Sequence, residues 1–200
     1  MPSFPILPAP LTGRLARLRP AAERDIPEVL IAHQDDPGLH AALGERRPPS
    51  GAELGRRAEA AAAELASGTR AWLTICEGED DECRGQLDVF DVEWAHGRAR
   101  LTVWVAPHAR GRGLGAEALG LSARWLLGDC GLVRLALLCE PANAPALAAA
   151  RCAGFVHEGV LRAHERREHR RVDLAVLSLI AGDPAAGADP HPRLGPGADR

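Results

Sequence analysis

The sequence has 200 residues, which fits one domain of ordinary size, and 46% of them are hydrophobic, enough to bury a core. The formal net charge of −3 provides no general basic field, and no local basic patch stands out that would bind a nucleic acid. No apolar run approaches the roughly 20 residues that a membrane-spanning helix needs. We therefore expect a soluble, cytoplasmic protein that binds neither nucleic acid nor membrane.

The cysteines and histidines give no sign of a metal site or of disulfide bonds. No two cysteines form a CxxC pair, and none stands at metal-ligand spacing from a histidine. We expect no bound metal and free thiols in a reducing compartment. The five cysteines are Cys76, Cys83, Cys130, Cys139 and Cys152.

The two ends of the chain differ in composition from the middle. The first twelve residues are rich in proline, and the last eighteen have too few apolar side chains to offset the entropy of ordering. The composition predicts a loose segment over residues 1–12, one domain over residues 13–182 and a disordered tail over residues 183–200.

The first half of the domain opens with a strand and two helices. Residues 14–19 alternate Arg with Leu and Ala, which predicts a half-buried strand, and residues 23–33 fit a helix. Ser50 and Glu53 form a capping box before an Ala-rich helix that stops at Gly68. The runs "RAWLTICE", "GQLDVFDVEW" and "RARLTVWVA" follow, and their separation by short turns predicts an antiparallel meander.

The second half alternates helices and strands. Apolar residues recur at helical spacing from Leu114 to Trp125, and Gly128 and Gly131 end the run. The strand "VRLALLCE", a helix over residues 146–153 and the strands "FVHEGVLR" and "RRVDLAVLSLI" complete the domain. We expect an α/β fold with a single mixed, largely antiparallel sheet of six to seven strands, flanked by helices.

A glycine-rich segment lies where the last meander strand gives way to a helix. Gly111, Gly113 and Gly115 leave backbone N–H groups unshielded at the positive end of that helix, a geometry that binds phosphate. Arg110 and Arg112 flank them with donors suited to a pyrophosphate. The plainer interpretation is a tight turn with solvated arginines.

Two other phosphate motifs were weighed against this segment. No GK[ST] follows the glycines, which excludes a P-loop. Residues 111–116 match the dinucleotide pattern G-x-G-x-x-A, but that pattern belongs after the first strand of a parallel unit, with an acidic residue about 20 positions on. Here the preceding strand ends a meander and position 131 is Gly, so a dinucleotide site is not favoured.

The segment "RGRGLG" fits the R/Q-x-x-G-x-G/A signature of the GCN5-related N-acetyltransferases, the GNAT superfamily. The segments "WVAPHARGRGLGAEALGLSARWLL", "EPANAPALAAARCAGF" and "EGVLRAHERREHRRVDLAVLSL" resemble, in the same order, the RimJ/RimL-like subgroup that acetylates ribosomal-protein N-termini. The resemblance covers roughly residues 14–181.

This resemblance implies acetyl-CoA as co-substrate and a splay between the fourth and fifth strands. The strand residues 103–105 would diverge from residues 135–139, and pantetheine would fill the gap and pair with the freed backbone groups. Signature amides would hold the pyrophosphate, and the Asn after the fifth strand would contact the cofactor, although that Asn also fits a turn-former. The implied cofactor-binding residues are Val103, Trp104, Val105, Arg110, Gly111, Arg112, Gly113, Leu114, Gly115 and Asn143.

Three polar residues that are common in the family are replaced in this chain. Arg100 stands where relatives often carry a glutamate base, and an arginine cannot deprotonate an amine. Ala146 replaces a serine and His164 a tyrosine. His164 is a candidate for proton transfer because histidine is the most frequent general acid or base, while Glu140 and Glu93 are alternative bases. Each of the three also fits a solvated or structural side chain.

The resemblance implies an N-acetyltransferase that passes the acetyl group of acetyl-CoA to a primary amine, such as a protein N-terminus. One alternative is an acetyltransferase for small amines such as aminoglycosides or polyamines. Another is a catalytically degenerate acyl-CoA-binding regulatory protein, suggested by the replaced residues. A homodimer is left open.

Overall fold

A mixed β-sheet forms the centre of the protein in the computed structural model, which describes Phe4, residues 10–167 and residues 170–183. The strands are β1 (Leu11–Thr12), β2 (Ala16–Pro20), β3 (Ala71–Glu77), β4 (Gly85–Glu93), β5 (Arg98–Val105), β6 (Arg134–Cys139), β7 (Val156–Arg167) and β8 (Arg170–Ile180). Their order is β1-β2-β3-β4-β5-β6-β8-β7. In the described part of the chain, only β5 and β6 pair in parallel. The predicted mixed, largely antiparallel sheet and its meander are confirmed.

Five α-helices flank the sheet within the described residues. They are α1 (Ile26–Asp35), α2 (Leu39–Ala42), α3 (Gly51–Ser67), α4 (Leu114–Arg124) and α5 (Ala144–Cys152). None of them is long and apolar enough to cross a membrane. The predicted capping box is present at α3, where the Glu53 N–H donates to Ser50 Oγ and the Ser50 N–H donates to Glu53 Oε2.

The two faces of the sheet carry separate apolar cores. Successive side chains of a strand point to opposite faces, so neighbouring residues of β5 serve different cores. Leu101 and Val103 pack in the main core with Leu114 and Leu119 of α4, whereas Trp104 packs in a second core with α1, α2 and α3. The sheet therefore separates an α4 face from an α1–α3 face.

A buried ionic network fixes the start of α1 to the sheet. Arg19 donates two hydrogen bonds to the Asp25 carboxylate, at 2.9 and 2.6 Å, and Thr74 Oγ1 donates a third at 2.7 Å. Burial acts to raise the pKa of Asp25, but these donors and the Ala22 N–H outweigh it and hold that pKa below its usual value. The Asp25 carboxylate thus links β2, β3 and α1 on the α1–α3 face.

Several predicted boundaries need correction. The sheet has eight strands rather than six or seven, because Leu11–Thr12 pairs with β2. Within the segment predicted to be loose, the described residue Phe4 is buried against Trp94 and Trp125. The helix that follows the glycines ends in a π-turn over Trp125–Asp129.

Other boundaries shift by a few residues, and one helix was missed. A turn of 3₁₀-helix over Glu23–Asp25 precedes α1, the four-residue α2 had no clear periodicity to predict it, and β7 continues to Arg167. Of the predicted tail over residues 183–200, all but Asp183 lies outside the described residues.

Candidate functional site

The glycine-rich segment forms a loop between β5 and α4. A 3₁₀ turn at Pro107–Ala109 follows β5, and Gly111 and Gly113 then adopt positive φ angles of 77° and 86°, which side-chain-bearing residues rarely tolerate. The loop ends where Leu114, 1% exposed, anchors the start of α4 in the main core. An ideal Cβ added at Gly111 would meet no atom within 4 Å, so the backbone at Gly111 borders open space, whereas a Cβ at Gly113 would contact Leu15.

The start of α4 presents backbone donors to that open space. The first turn of a helix leaves N–H groups without intrahelical acceptors, and the first bond here runs from the Glu117 N–H to the Gly113 carbonyl. Among the described residues, no hydrogen bond is formed by the N–H groups of residues 111–116. These donors and the positive end of the helix dipole suit a pyrophosphate.

The two loop arginines are each paired with a carboxylate. Arg110 donates to the Val105 carbonyl at 2.9 Å and to Asp36 Oδ2 at 2.5 Å. The Arg110 hydrogen bond lowers the pKa of Asp36. Arg112 donates to Glu77 Oε2 at 2.9 Å and to the His108 carbonyl at 3.0 Å. Both guanidinium groups therefore shape the loop in the structure, and their predicted contact with pyrophosphate stays a prediction.

Glu117, in the first turn of α4, ties the chain before β2 to the glycine loop. Its carboxylate accepts the backbone N–H groups of Arg14, Leu15 and Ala16 at 2.7, 2.6 and 2.7 Å. Partial burial acts to raise the pKa of Glu117, but the three donors outweigh it and the pKa is lowered. The position of Leu15 beside Gly113 thus depends on one carboxylate.

The strands β5 and β6 separate immediately before the glycine loop. They pair from Arg98 with Arg134 to Leu101 with Leu137, and no pairing continues beyond that point. The predicted splay is therefore present, but it opens after Leu137, and the earlier part of residues 135–139 is still paired with β5. The gap is bordered by residues 102–105 on one side and by residues 138 and 139 on the other.

The backbone of β5 faces this gap at alternate residues. The Ala106 N–H donates to the Arg84 carbonyl, on the β4 side of the strand. Hydrogen-bonding groups of a strand alternate between its two neighbours, so the N–H and C=O groups of Val103 and Val105 point toward β6. Opposite them β6 has diverged, which leaves the N–H and C=O groups of Val103 and the N–H group of Val105 available to a ligand, whereas the Val105 carbonyl accepts from Arg110.

Asn143 is the N-cap of α5, just after β6. Its side-chain oxygen accepts the Ala146 N–H at 3.1 Å, the local role that its turn-forming sequence also fits. The side-chain NH₂ group donates to no other described residue, so it stays available. The predicted contact of Asn143 with a cofactor stays a prediction.

A cavity of about 220 Å³ opens on the α1–α3 face, opposite the glycine loop. Thr102, Trp104 and Leu138, which border or follow the point of strand separation, contribute to its wall, so the cavity meets the gap. Its charged and titratable lining residues are His33, Glu45, Arg57, Arg70, Asp88, Arg100, Glu165 and Arg167.

Each of the three carboxylates in the wall is paired with an arginine. Arg70 donates two hydrogen bonds to Asp88, at 2.8 and 2.5 Å. Burial raises the pKa of Asp88, and the pair with Arg70 only partly offsets it. Glu45 accepts from Arg57 at 2.8 Å. Glu165 accepts from Arg167 at 3.2 Å, and the lining holds more arginines than carboxylates, so the wall has no excess negative charge.

His33 is a cavity residue that the sequence did not single out. It lies on α1, is 7% exposed, and its Nδ1 has no hydrogen-bond partner among the described residues. Burial lowers its pKa, and Glu45 opposes that effect. Helical periodicity could have identified His33 as a buried residue. Val29, Ala32 and His33 occupy one face of α1, and this face is the buried one.

None of the three predicted proton-transfer residues lines the cavity. Glu93 lies at the end of β4, where Arg98 donates to both its oxygens, and it borders a different, shallow depression with Arg134. Glu140 accepts from Arg167 at 2.5 Å. His164 is exposed on the edge strand β7, within an irregular stretch of its pairing with β8. The structure does not bring these three side chains together.

Comparison with known proteins gives consistent matches. The family model described as the acetyltransferase (GNAT) domain matches residues 16–156. An uncharacterized N-acetyltransferase, p20, from Bacillus licheniformis is 26% identical over 108 residues, which are 54% of this chain and 61% of that protein. The chain thus matches about three fifths of the length of this curated relative.

Two solved structures illustrate the likeness in fold. Mycobacterium smegmatis RimJ in complex with CoA-disulfide has a TM-score of 0.74 and 21% identity, over 88% of this chain and 93% of RimJ. The Salmonella typhimurium acetyltransferase described as modifying the N-terminal serine of ribosomal protein L7/L12 has a TM-score of 0.74 and 19% identity, over 86% of this chain and 99% of its own.

Proposed function

The chain belongs to the acetyltransferase (GNAT) domain family, and on that premise we propose that it transfers the acetyl group of acetyl-CoA to a protein N-terminal amine. The observation that carries this proposal is the gap between β5 and β6, which lies beside the glycine loop and also borders the cavity. A thioester lying in the gap can meet an amine entering from the opposite face. The five cysteines are all free, which supports the reducing environment of the cytoplasm.

We assign acetyl-CoA, which supplies the activated acetyl group as a thioester, to the α4 side of the sheet. The free N–H groups of residues 111–116 bind the pyrophosphate, and the backbone groups of Val103 with the N–H group of Val105 pair with the pantetheine amides. The residues assigned to this cofactor are Val103, Trp104, Val105, Arg110, Gly111, Arg112, Gly113, Leu114, Gly115 and Asn143. Holding two substrates in reactive geometry contributes on the order of 7–11 kcal/mol to such a step.

The charge of the cavity supports a peptide end over a polyamine. A polycationic acceptor requires unpaired carboxylates, whereas Glu45, Asp88 and Glu165 are each paired with an arginine. The subgroup also supports this choice, because the Salmonella neighbour is described as acting on a protein N-terminal serine. Aminoglycosides and polyamines are therefore the less favoured acceptors.

An assay of thiol release from acetyl-CoA tests the proposal with matched acceptors. The panel contains a peptide with a free N-terminus, the same peptide with a blocked N-terminus, spermidine and an aminoglycoside. We expect turnover with the free peptide and none with the blocked one. Turnover confined to spermidine or the aminoglycoside would move the protein to the small-amine class. Cofactor binding without turnover of any amine would make it a binding protein.

A further inference from the structure

We propose that His33 is the general base that removes a proton from the acceptor amine. This assignment rests on the proposed function, because it requires that an amine enters the cavity. None of the matches describes a role for this residue, and the sequence signature lies far from it in the chain. The positions and contacts of the residues in the cavity wall support the assignment.

The position of His33 places an imidazole beside the point of strand separation. Its ring lies 6.4 Å from that of Trp104, centre to centre, and both side chains line the cavity. Trp104 belongs to the part of β5 that no longer pairs with β6. An amine that approaches a thioester in the gap from the α1–α3 face therefore passes close to His33.

The other titratable groups in the wall are less available to an incoming amine, even at Asp88, where burial raises the pKa. Both oxygens of Asp88 accept hydrogen bonds from Arg70, and Glu165 is paired with Arg167. Arginines stay protonated and cannot act as bases. His33 keeps a free Nδ1 despite its burial, and an unpartnered polar atom that is more than nine-tenths buried requires an explanation. This atom itself has almost no exposed surface, so it is the rest of His33 that lines the cavity wall.

The charged neighbours of His33 favour a neutral imidazole that can still be protonated during turnover. Burial, His40 on α2 and Arg57 on α3 lower its pKa, whereas Glu45 and Asp36 raise it. Only a neutral imidazole can accept a proton from a protonated amine at pH 7. Glu45 acts as a positioning residue, because its carboxylate stabilises the imidazolium and one of its oxygens is buried without a partner.

The proton balance of the step is complete without another reactant. The ammonium group gives one proton to His33, and the neutral nitrogen attacks the thioester carbonyl. The C–N bond forms and the C–S bond breaks, so the electron pair leaves with the thiolate of coenzyme A. The second proton lost by the nitrogen goes to that thiolate. The products are an N-acetyl amide, free coenzyme A and an imidazolium that then releases its proton to water.

The pH–rate profile of His33→Gln tests the assignment. In the wild-type protein we expect kcat/KM to rise with pH through a pKa below 6.5, because burial lowers the pKa of His33. In His33→Gln we expect kcat to fall about 10²- to 10⁴-fold. Its rate should then follow the free amine and rise through about pH 7.7–8.0, the usual α-amine pKa. Affinity for acetyl-CoA, measured by calorimetry, should not change.

Two further variants separate a chemical role from a structural one. In Glu45→Gln the rise of kcat/KM with pH should occur at lower pH, because the substitution removes the charge that raises the pKa of His33. A purely structural Glu45 would not move it. The matched control is His40→Gln, since the Nδ1 of His40 is also buried without a partner but His40 does not line the cavity. It should keep the kcat of the wild-type protein at pH 8.

Several results would overturn the assignment. A folded His33→Gln variant with wild-type kcat and the same pH limb would exclude His33 as the base. If that variant does not fold, NMR titration of the wild-type imidazole decides, because the pKa of His33 must coincide with the kinetic one. A clear mismatch refutes the role. A wild-type protein that acetylates no amine overturns the proposed function and this assignment with it, whereas the other results concern His33 alone.

Discussion

The two faces of the sheet present different chemical groups, backbone N–H groups on one and charged side chains on the other. On the α4 face the candidate phosphate site consists of backbone N–H groups that are held by glycine conformations and by one buried leucine. On the α1–α3 face the cavity is lined by residues from the helices α1–α3 and the strands β3–β8, and its carboxylates are paired with arginines. The first face owes its properties to a short contiguous segment, and the second to residues that only the fold brings together.

This contrast teaches that the two faces tolerate change differently. A backbone site is sensitive to any substitution that alters φ or fills the space in front of the N–H groups. A side-chain site responds to single changes of charge, because removing one partner leaves the other buried and unpaired. Each of the following substitutions changes one face of the sheet only.

The largest expected effect is on the α1–α3 face. Asp25→Asn removes the negative charge of the buried Arg19–Asp25 ion pair, which should cost about 3 kcal/mol of unfolding free energy. Urea denaturation at pH 7 measures this loss. The matched control is Asp81→Asn, because Asp81 also pairs with Arg19 but is 44% exposed, and an exposed pair contributes about 0–1 kcal/mol. Equal losses in the two variants would refute the network's role.

The same network predicts an acid-sensitive stability. Because the folded-state pKa of Asp25 is lowered, its contribution is fully present above the unfolded pKa of about 3.9 and is lost as pH falls through the folded value. The stability difference between wild-type protein and Asp25→Asn should therefore shrink below pH 4. A difference that stays constant down to the acid transition would contradict this account.

On the α4 face, Gly113→Glu should weaken acetyl-CoA binding at least about 100-fold, or about 2.7 kcal/mol. The new carboxylate adds negative charge beside the proposed phosphate site, and the φ angle of 86° strains any side-chain-bearing residue. Calorimetry measures the affinity. Gly113→Asn is the control, because Asn accepts positive φ more readily and adds no charge, so its loss should be clearly smaller. Unchanged affinity in Gly113→Glu would remove the loop from the binding site.

A smaller effect is expected from Glu117→Gln, beside the same loop. Both carboxylate oxygens accept in the wild-type protein, and the NH₂ group of a glutamine cannot accept, so at least one N–H group of residues 14–16 loses its acceptor, which should cost about 1–2 kcal/mol of unfolding free energy. The pKa of Glu117 is lowered in the folded state, so this contribution exists above an unfolded pKa of about 4.3 and disappears as pH falls. Chemical denaturation at pH 7 and pH 3 checks both statements. A variant as stable as the wild-type protein at pH 7 would contradict them.

The smallest effect is expected from His164→Phe. His164 is exposed on the edge strand and does not line the cavity, so kcat and the pH profile should stay as in the wild-type protein. The measurement is the same acetyl-transfer assay that tests His33→Gln. Loss of activity, or a shift in the pH dependence of kcat/KM, would support a proton-transfer role for His164.

The sequence predicted the α4 face well for a physical reason. The glycine spacing, the strand before it and the helix after it are local features, so the loop at residues 107–115 could be located before the fold was known. Local signals also gave the α3 capping box and the meander. The pairing of Arg110 with Asp36, which is distant in sequence, could not be anticipated.

The α1–α3 face was largely missed because its contacts are long-range. The cavity joins His33, Arg70, Asp88 and Glu165, and no spacing along the chain signals that they meet. The sequence instead directed attention to His164, which replaces a tyrosine of the family, and to Glu93 on the meander and Glu140 at the end of a strand. Two-residue strands such as Leu11–Thr12 carry no periodicity, which is why the eighth strand was not predicted.

The central claim is that backbone donors of the loop and of the separated strand bind acetyl-CoA. Backbone amide NMR, with acetyl-CoA titrated into the ¹⁵N-labelled protein, tests it most directly. We predict that the largest shift changes fall on the amides of residues 111–116, Val103 and Val105, while those of α3 change little. Shift changes confined to other segments, or none at millimolar acetyl-CoA, would contradict the account.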